Sequence, residues 1–244
     1  MSEWAPGGFE VHDLHGEPAA TAIASYALAA EGAPLVVGLT GSVAAGKSHC
    51  ASELRSLLER ERRVEVVSTD GFLFPNATLA ARGLLMRKGF PESYDAELAT
   101  DLLGRIPAGE PGVAVPRYSH RTYDIDGPPQ VITRPDVVVL EGVVALQPPF
   151  RQFCSVGVYL DADEVDLHRW YVERFVELVA EREGFYAQWA GMGPDEVREL
   201  ASMVWEHVNL PNLADHILPT RWTADVVVRK APDHSVSAVA VRRR

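Results

Sequence analysis

Cysteine is nearly absent: Cys50 and Cys154 are the only two in 244 residues. That excludes a disulfide framework and a paired-cysteine metal site. Basic charge is also scarce, with 23 Lys and Arg against 34 Asp and Glu and a net charge of −11. Such an acidic body argues against nucleic acid as a partner. A phosphate ligand would need a local basic pocket. Long apolar runs are missing too. None is long enough to span a bilayer, and residues 1–20 lack a charged segment leading into an apolar one. A cytoplasmic chain with no membrane partner is therefore the expectation. There is no internal repeat or low-complexity tract, and Arg242-Arg243-Arg244 is too short to be more than a solvated end. What remains, 47% apolar and 23% charged residues, is ordinary for a globular chain with a substantial core.

The stretch that organises the chain is Pro34 to Ser48. Leu35 to Thr40 is a short, β-branched apolar run of the kind found in buried parallel strands. Gly41-Ser42-Val43-Ala44-Ala45-Gly46-Lys47-Ser48 then fits G-x-x-x-x-G-K-[ST] at every fixed position. Cys50 to Leu58 follows as an amphipathic helix with Leu54, Leu57 and Leu58 on one side. Strand, glycine loop and helix are the context this motif requires. A nucleoside triphosphate carries about four negative charges, which amides at a helix N-terminus can cradle. Gly41 and Gly46 allow φ > 0 and close approach of phosphate oxygens. Lys47 neutralises the β- and γ-phosphates, and Ser48 offers its hydroxyl to Mg²⁺. Cys50, in the first helical turn, is expected to be a small buried residue.

Along the chain, residues 1–16 read as a loose lead-in and Glu17 to Ala30 as a helix facing the domain through Ile23, Tyr26 and Ala27. Arg63 to Ser68 is a strand that delivers Asp70 at its C-terminal end, where open α/β sheets place their chemistry. Asn76 to Met86 reads as a helix, Arg87 to Tyr94 as a loop, and Asp95 as the cap of a helix reaching about Ile106. Val113 to Ser119 is extended, and Gln130 to Thr133 pairs back as a hairpin arm. Asp136 to Leu140 is the most apolar strand and delivers Glu141. Val156 to Leu160 leads to a long helix from about Ala162 to Glu181. A further helix, Asp195 to Val208, and two strands, Ala224–Arg229 and Ser235–Val241, complete the chain. The expected architecture is α/β: an open parallel β-sheet of the P-loop NTPase type flanked by helices. One domain spans 1–244, with a lead-in and helix at 1–33 and a helical substrate-binding lid at 165–215.

Phosphoryl transfer needs a metal acceptor, a group to orient or deprotonate the attacking hydroxyl, and positive charge on the transferring group. Glu141 resembles the acid of a Walker B strand and is the second candidate Mg²⁺ ligand beside Ser48. Asp70 is the candidate proton acceptor, with metal ligation left open as its other role. Pro116 to Asp124 is dense in polar groups on rigid aromatic bodies, which suits a small polar substrate. Tyr171, Arg174, Phe175 and Leu178 share one face of the long helix. An arginine there either pairs with a core acid or faces phosphate.

These strings resemble the bacterial type I pantothenate kinases, within the wider group of P-loop uridine kinases and phosphoribulokinases. The resemblance rests on GSVAAGKS (Gly41–Ser48), STDGFLFPN (Ser68–Asn76), RKGFPESYD (Arg87–Asp95), PRYSHRTYD (Pro116–Asp124) and VVVLEG (Val137–Gly142). It continues through YLDADE (Tyr159–Glu164) with WYVERF (Trp170–Phe175), and LPNLADHILPTRWTAD (Leu210–Asp225). The resemblance implies ATP and Mg²⁺ as cofactors, pantothenate as acceptor and 4′-phosphopantothenate as product. It implies that Gly41 to Ser48 and His49 hold ATP phosphates, with His234 near the adenine. Lys47, Asp70 and Arg174 would be catalytic. Tyr118, His120, Tyr123, Tyr171 and Asn209 would line the acceptor site beside Asp70 and Arg174, with Phe175, Leu178 and Phe185 as apolar walls. A homodimer built on the helix after the glycine loop, and coenzyme A as a feedback ligand, are implied as well.

The chain departs from that pattern in places. KSTTAR becomes Lys47-Ser48-His49-Cys50-Ala51-Ser52, so the arginine associated with coenzyme A feedback is Ser52. LNVLQ becomes Val143-Val144-Ala145-Leu146-Gln147. The insertion that normally follows is missing, and the N-terminal extension is short. Those differences keep open a related acceptor (uridine, glycerate or a sugar phosphate) or a nucleotide- or coenzyme-A-binding relative without turnover.

Overall fold

The computed structural model describes residues 4–14 and 18–243. Its strands and helices are β1 (Phe9–Asp13), α1 (Ala19–Leu28), β2 (Leu35–Gly41), α2 (Lys47–Leu58), β3 (Val64–Ser68), α3 (Asn76–Ala81) and α4 (Ala96–Arg105). There follow β4 (Pro111–Val115), β5 (Tyr118–Ser119), β6 (Asp124–Ile125), β7 (Gln130–Thr133), β8 (Val137–Glu141), β9 (Val156–Asp161) and α5 (Glu164–Ala180). The chain ends with α6 (Pro194–Val204), α7 (Leu210–Asn212), β10 (Val226–Lys230) and β11 (Val236–Arg242). Wide π-type turns, Trp205–Asn209 and Leu213–Ile217, flank α7.

The main sheet has the order β1-β11-β10-β9-β2-β8-β3. From β3 to β10 its neighbours run parallel, while β11 and β1 add antiparallel. The central strands β2, β8 and β9 are buried at every residue. Both of their faces are covered, which is why they read as continuous apolar runs without alternation. Ile23, Val37, Leu39, Leu54, Val139, Leu140 and Val158 lie at the heart of one core. The exposed edge of β3 is covered by Gln130, whose Nε2 donates to the Val66 carbonyl at 3.0 Å.

Two local expectations are corrected. The lead-in is not loose throughout, because β1 pairs with β11 from Phe9↔Arg242 to Asp13↔Ala238; β1 is mostly exposed, so it carries no apolar pattern to announce it. His15, Gly16 and Glu17 lie outside the described residues, as do residues 1–3 and 244. The helix expected over Asn76 to Met86 stops at Ala81, and a separate 3₁₀ turn covers Leu85–Arg87. Gly83 adopts φ +70 between them, a left-handed conformation that ends a helix. Elsewhere Asp95 caps α4 as expected, accepting from the Leu98 amide at 2.9 Å.

Candidate active site

Three neighbouring strands end side by side. Register pairs Leu39 of β2 and Ser68 of β3 with Glu141 of β8, so the glycine loop, Glu141 and Asp70 emerge from one sheet edge. Gly46 caps α2 with φ 86 and ψ 28, a left-handed geometry that glycine adopts without a steric penalty. The Lys47 ammonium folds back over the loop, donating to the carbonyls of Ser42 at 2.8 Å and Gly41 at 3.3 Å. Burial, aided by the charge of Arg174, lowers its pKa against the opposing pull of Glu141 and Asp70. Ser42, Val43, Ala44 and Ala45 complete the loop, with Ala44 at φ 60.

The hydroxyl of Ser48 donates to Glu141 Oε2 at 3.5 Å. Burial pushes the Glu141 carboxyl above the usual range, and the Asp70 charge adds to the rise while Lys47 opposes it. A hydroxyl beside a carboxylate starved of solvent is a donor set that suits a hard divalent cation. Asp70 sits in the 3₁₀ turn Thr69–Phe72 after β3, its amide donating to Ser68 Oγ at 3.3 Å. That turn packs tightly on the Pro116 segment, since a Cβ on Gly71 would stand 2.2 Å from the Pro116 carbonyl oxygen.

Near Asp70 lies a cluster of aromatic rings. Tyr118 meets His120 at 5.2 Å and Tyr123 at 6.0 Å between ring centroids. Tyr123 stacks on Phe185 at 4.2 Å and holds φ 55, strain of the kind concentrated at functional sites. Tyr171 of α5 meets Phe175 and Trp205. Burial pushes Tyr171 up to about 12 and raises Tyr118 and Tyr123 further, so all three stay phenols. Water-poor surroundings lower the pKa of His120, with Asp70 resisting and Arg174, Lys47 and Lys88 reinforcing the fall. The Asn209 side chain faces Tyr171, and its buried Nδ2 makes no well-formed hydrogen bond among the described residues.

The structure thus brings Lys47, Ser48, Asp70, Glu141, Tyr118, His120, Tyr123, Tyr171, Phe185 and Asn209 to one end of the sheet. Arg174 is exposed, is paired with no core acid among the described residues, and its charge reaches Lys47 and His120. Three expectations change. The His49 side chain points outward, 78% exposed, toward Glu53 at 3.6 Å, leaving only its backbone at the loop. Phe175 is buried with Val179, Val197 and Ala201 between α5 and α6, so it supports the wall from behind. Leu178 is half-buried one turn beyond Arg174 and is not among the residues packed on the Phe175 cluster. His234, exposed, stacks on Trp170 at 4.0 Å.

Three residues escaped the sequence reading. Lys230, at the end of β10, donates to the Ala45 carbonyl at 3.2 Å, adding a second lysine to the loop. Lys88 donates to Asn76 Oδ1 at 2.7 Å and to the Tyr123 carbonyl at 2.5 Å, over the rings of Tyr118 and Tyr123. Burial lowers its pKa to about 8. Tyr94 donates to Asp70 Oδ1 at 3.3 Å. The strings containing Lys88 and Tyr94 were visible, but no spacing rule joins them to Asp70.

The profile of the phosphoribulokinase/uridine kinase family matches residues 36–175. The chain is 48% identical over 225 residues to a pantothenate kinase of Sorangium cellulosum, covering 86% of this chain and 73% of that one. It is 42% identical over 229 residues to a pantothenate kinase of Cutibacterium acnes, with 86% and 70% coverage. The chain belongs to the pantothenate kinases of the phosphoribulokinase/uridine kinase family. Solved structures share the fold at greater distance. A fructose transport system kinase candidate from Silicibacter sp. TM1040 superposes with a TM-score of 0.70 at 24% identity, covering 85% of this chain and 98% of that one. D-glycerate 3-kinase from Cryptococcus neoformans gives 0.61 at 15% identity, with 91% and 98% coverage. Among the described residues of this family member, no helix is long and apolar enough to cross a membrane.

Proposed function

We propose that this kinase transfers the γ-phosphoryl group of ATP to the primary alcohol of pantothenate. The observation that carries the substrate assignment is the 48% identity to a pantothenate kinase, sustained over 86% of the chain. In this reading the loop amides from Gly41 to Ser48 and the Lys47 ammonium hold the triphosphate, with His234 and Trp170 beside the base. Ser48 and Glu141 would hold Mg²⁺, which would supply charge neutralisation to the triphosphate. The alcohol proton passes to Asp70 as its oxygen bonds to the γ-phosphorus. The bond from that phosphorus to the bridging oxygen breaks, and its electron pair leaves with ADP. Arg174, free of any carboxylate partner among the described residues, meets the negative charge of the transferring group.

Tyr118, His120, Tyr123, Tyr171 and Phe185 enclose the acceptor, with residues 165–215 as its cover within one domain. The Asn209 amide, facing Tyr171 without a well-formed bond from its buried Nδ2 among the described residues, supports this, because a buried donor lacking an acceptor is costly unless a ligand supplies one. Ser52 is exposed on α2 and offers no cation to coenzyme A, so feedback by that ligand is expected to be weak. A homodimer through α2 would draw on Leu57, 37% exposed.

ADP release measured across pantothenate, uridine, D-glycerate and ribulose 5-phosphate tests the assignment. Turnover confined to pantothenate is expected. Turnover of another alcohol with pantothenate inert would overturn the substrate, and ATP binding without transfer to any of the four would overturn the activity.

A further inference from the structure

A carboxylate that takes a proton from a bound alcohol must present one oxygen at a set angle, because about 1 Å of misplacement can cost roughly 10²-fold in rate. In this chain Asp70 is in a short turn, and its side chain would swing unless something else held it. The contact at Asp70 Oδ1 comes from the hydroxyl of Tyr94 at 3.3 Å.

The phenol is itself held firmly. Tyr94 follows the 3₁₀ turn Pro91–Ser93 and precedes the cap of α4. The chain on either side is tied to the Asp70 turn. Phe74 donates to the Ser93 carbonyl at 2.9 Å, Asp95 donates to the Phe72 carbonyl at 2.8 Å, and Leu73 forms a bridge with Tyr94. The ring is only 4% exposed and sits edge-on to Phe150, 5.8 Å between centroids, with Phe72 against the same Phe150 at 5.7 Å. Burial and the Asp70 charge hold the phenol well above its ordinary pKa. Its hydroxyl therefore keeps its proton and serves as a donor to the carboxylate.

We infer that Tyr94 is a positioning residue: it anchors Oδ1 of Asp70 and leaves Oδ2 to receive the alcohol proton. The inference rests on the assignment of Asp70 as proton acceptor. A charge-assisted bond to a buried donor is directional and stronger than a neutral one, and it opposes rotation of the carboxylate about its Cβ–Cγ bond. Phe72 and Phe150 act through Tyr94, because they define where its ring lies. A phenol present only to fill the core would leave turnover untouched when its oxygen is removed.

The test compares Tyr94→Phe, Asp70→Asn and the double variant in the full-length protein. Steady-state kinetics would be measured with pantothenate and ATP, beside nucleotide affinity by calorimetry and the melting temperature. Tyr94→Phe is expected to lower kcat about 10- to 100-fold with both KM values, nucleotide affinity and melting temperature near those of the wild type. The double variant is expected to be no slower than Asp70→Asn alone, since the anchor has nothing left to orient. If Asp70→Asn is inactive while Tyr94→Phe keeps kcat within threefold, the inference is overturned and the role of Asp70 stands. If Asp70→Asn retains most of its turnover, the role of Asp70 falls and the inference with it. A loss in Tyr94→Phe that appears in KM or melting temperature instead of kcat would make Tyr94 a packing residue and overturn the inference.

Discussion

Replacing Gly71 by alanine isolates the joint between the Asp70 turn and the aromatic Pro116–Asp124 segment. The added Cβ would lie 2.2 Å from the Pro116 carbonyl oxygen, where ordinary contact begins at 3.4 Å. Both partners are backbone, so no flexible side chain can move aside. The Asp70 turn and the Pro116–Asp124 segment must part by about 1.2 Å, and a displacement of that size is expected to cost roughly 10²-fold in turnover. That corresponds to about 2.7 kcal/mol on the barrier. The overpacking penalty in stability is about 1–3 kcal/mol, within what a domain of ordinary stability tolerates. ADP production coupled to NADH oxidation reads turnover, and calorimetry reads nucleotide affinity and melting temperature. Nucleotide affinity should survive, because the glycine loop hangs from β2 and not from this joint. Turnover within threefold of the wild type, or loss of nucleotide binding together with kcat, would refute the reasoning.

Lys88 titrates near pH 8 instead of its ordinary 10.5, so its ammonium is present below pH 8 and lost above it. The acceptor KM should rise between pH 7 and pH 9, and Lys88→Met should abolish that dependence. Between about pH 8 and 10.5 the unfolded chain binds the extra proton, so this residue makes stability rise with pH across that window, checked by denaturant melts of both proteins. Asp161, 3% exposed, accepts from Arg221 at 3.0 Å and Arg229 at 2.6 Å. Asp161→Ala leaves Arg221 without a carboxylate partner among the described residues, while Arg229 keeps Asp163 at 2.6 Å, and should destabilise by about 3 kcal/mol in a urea melt. Burial pushes both thiols up to about 12, so a thiol reagent at pH 8 should label neither Cys50 nor Cys154 in the native protein and both after denaturation.

Legibility followed the range of the interactions. The loop from Gly41 to Ser48 was readable because its chemistry is local: a strand, two glycines and a helix start within fifteen residues impose the geometry on themselves. Asp70 and Glu141 were readable as strand ends, since apolar runs announce buried parallel strands and the chemistry of such sheets collects at their C-terminal ends. β1 went unseen because an exposed edge strand needs no apolar alternation, and only its pairing with β11, more than two hundred residues away, makes it a strand. His49 and Phe175 were assigned by position in a motif, but the rotation of α2 and the packing of α5 on α6 aim their side chains elsewhere.

By itself the sequence determined that this chain carries a glycine loop of the triphosphate-binding type and lays two acids beside it. Local backbone preferences and hydrophobic burial suffice for that. Only the tertiary structure decided that Lys88, Tyr94 and Lys230 join them. Their contacts to Tyr123, Asp70 and Ala45 cross between separate segments, and no periodicity encodes such meetings; they exist because the packed sheet edge brings those segments within hydrogen-bond reach.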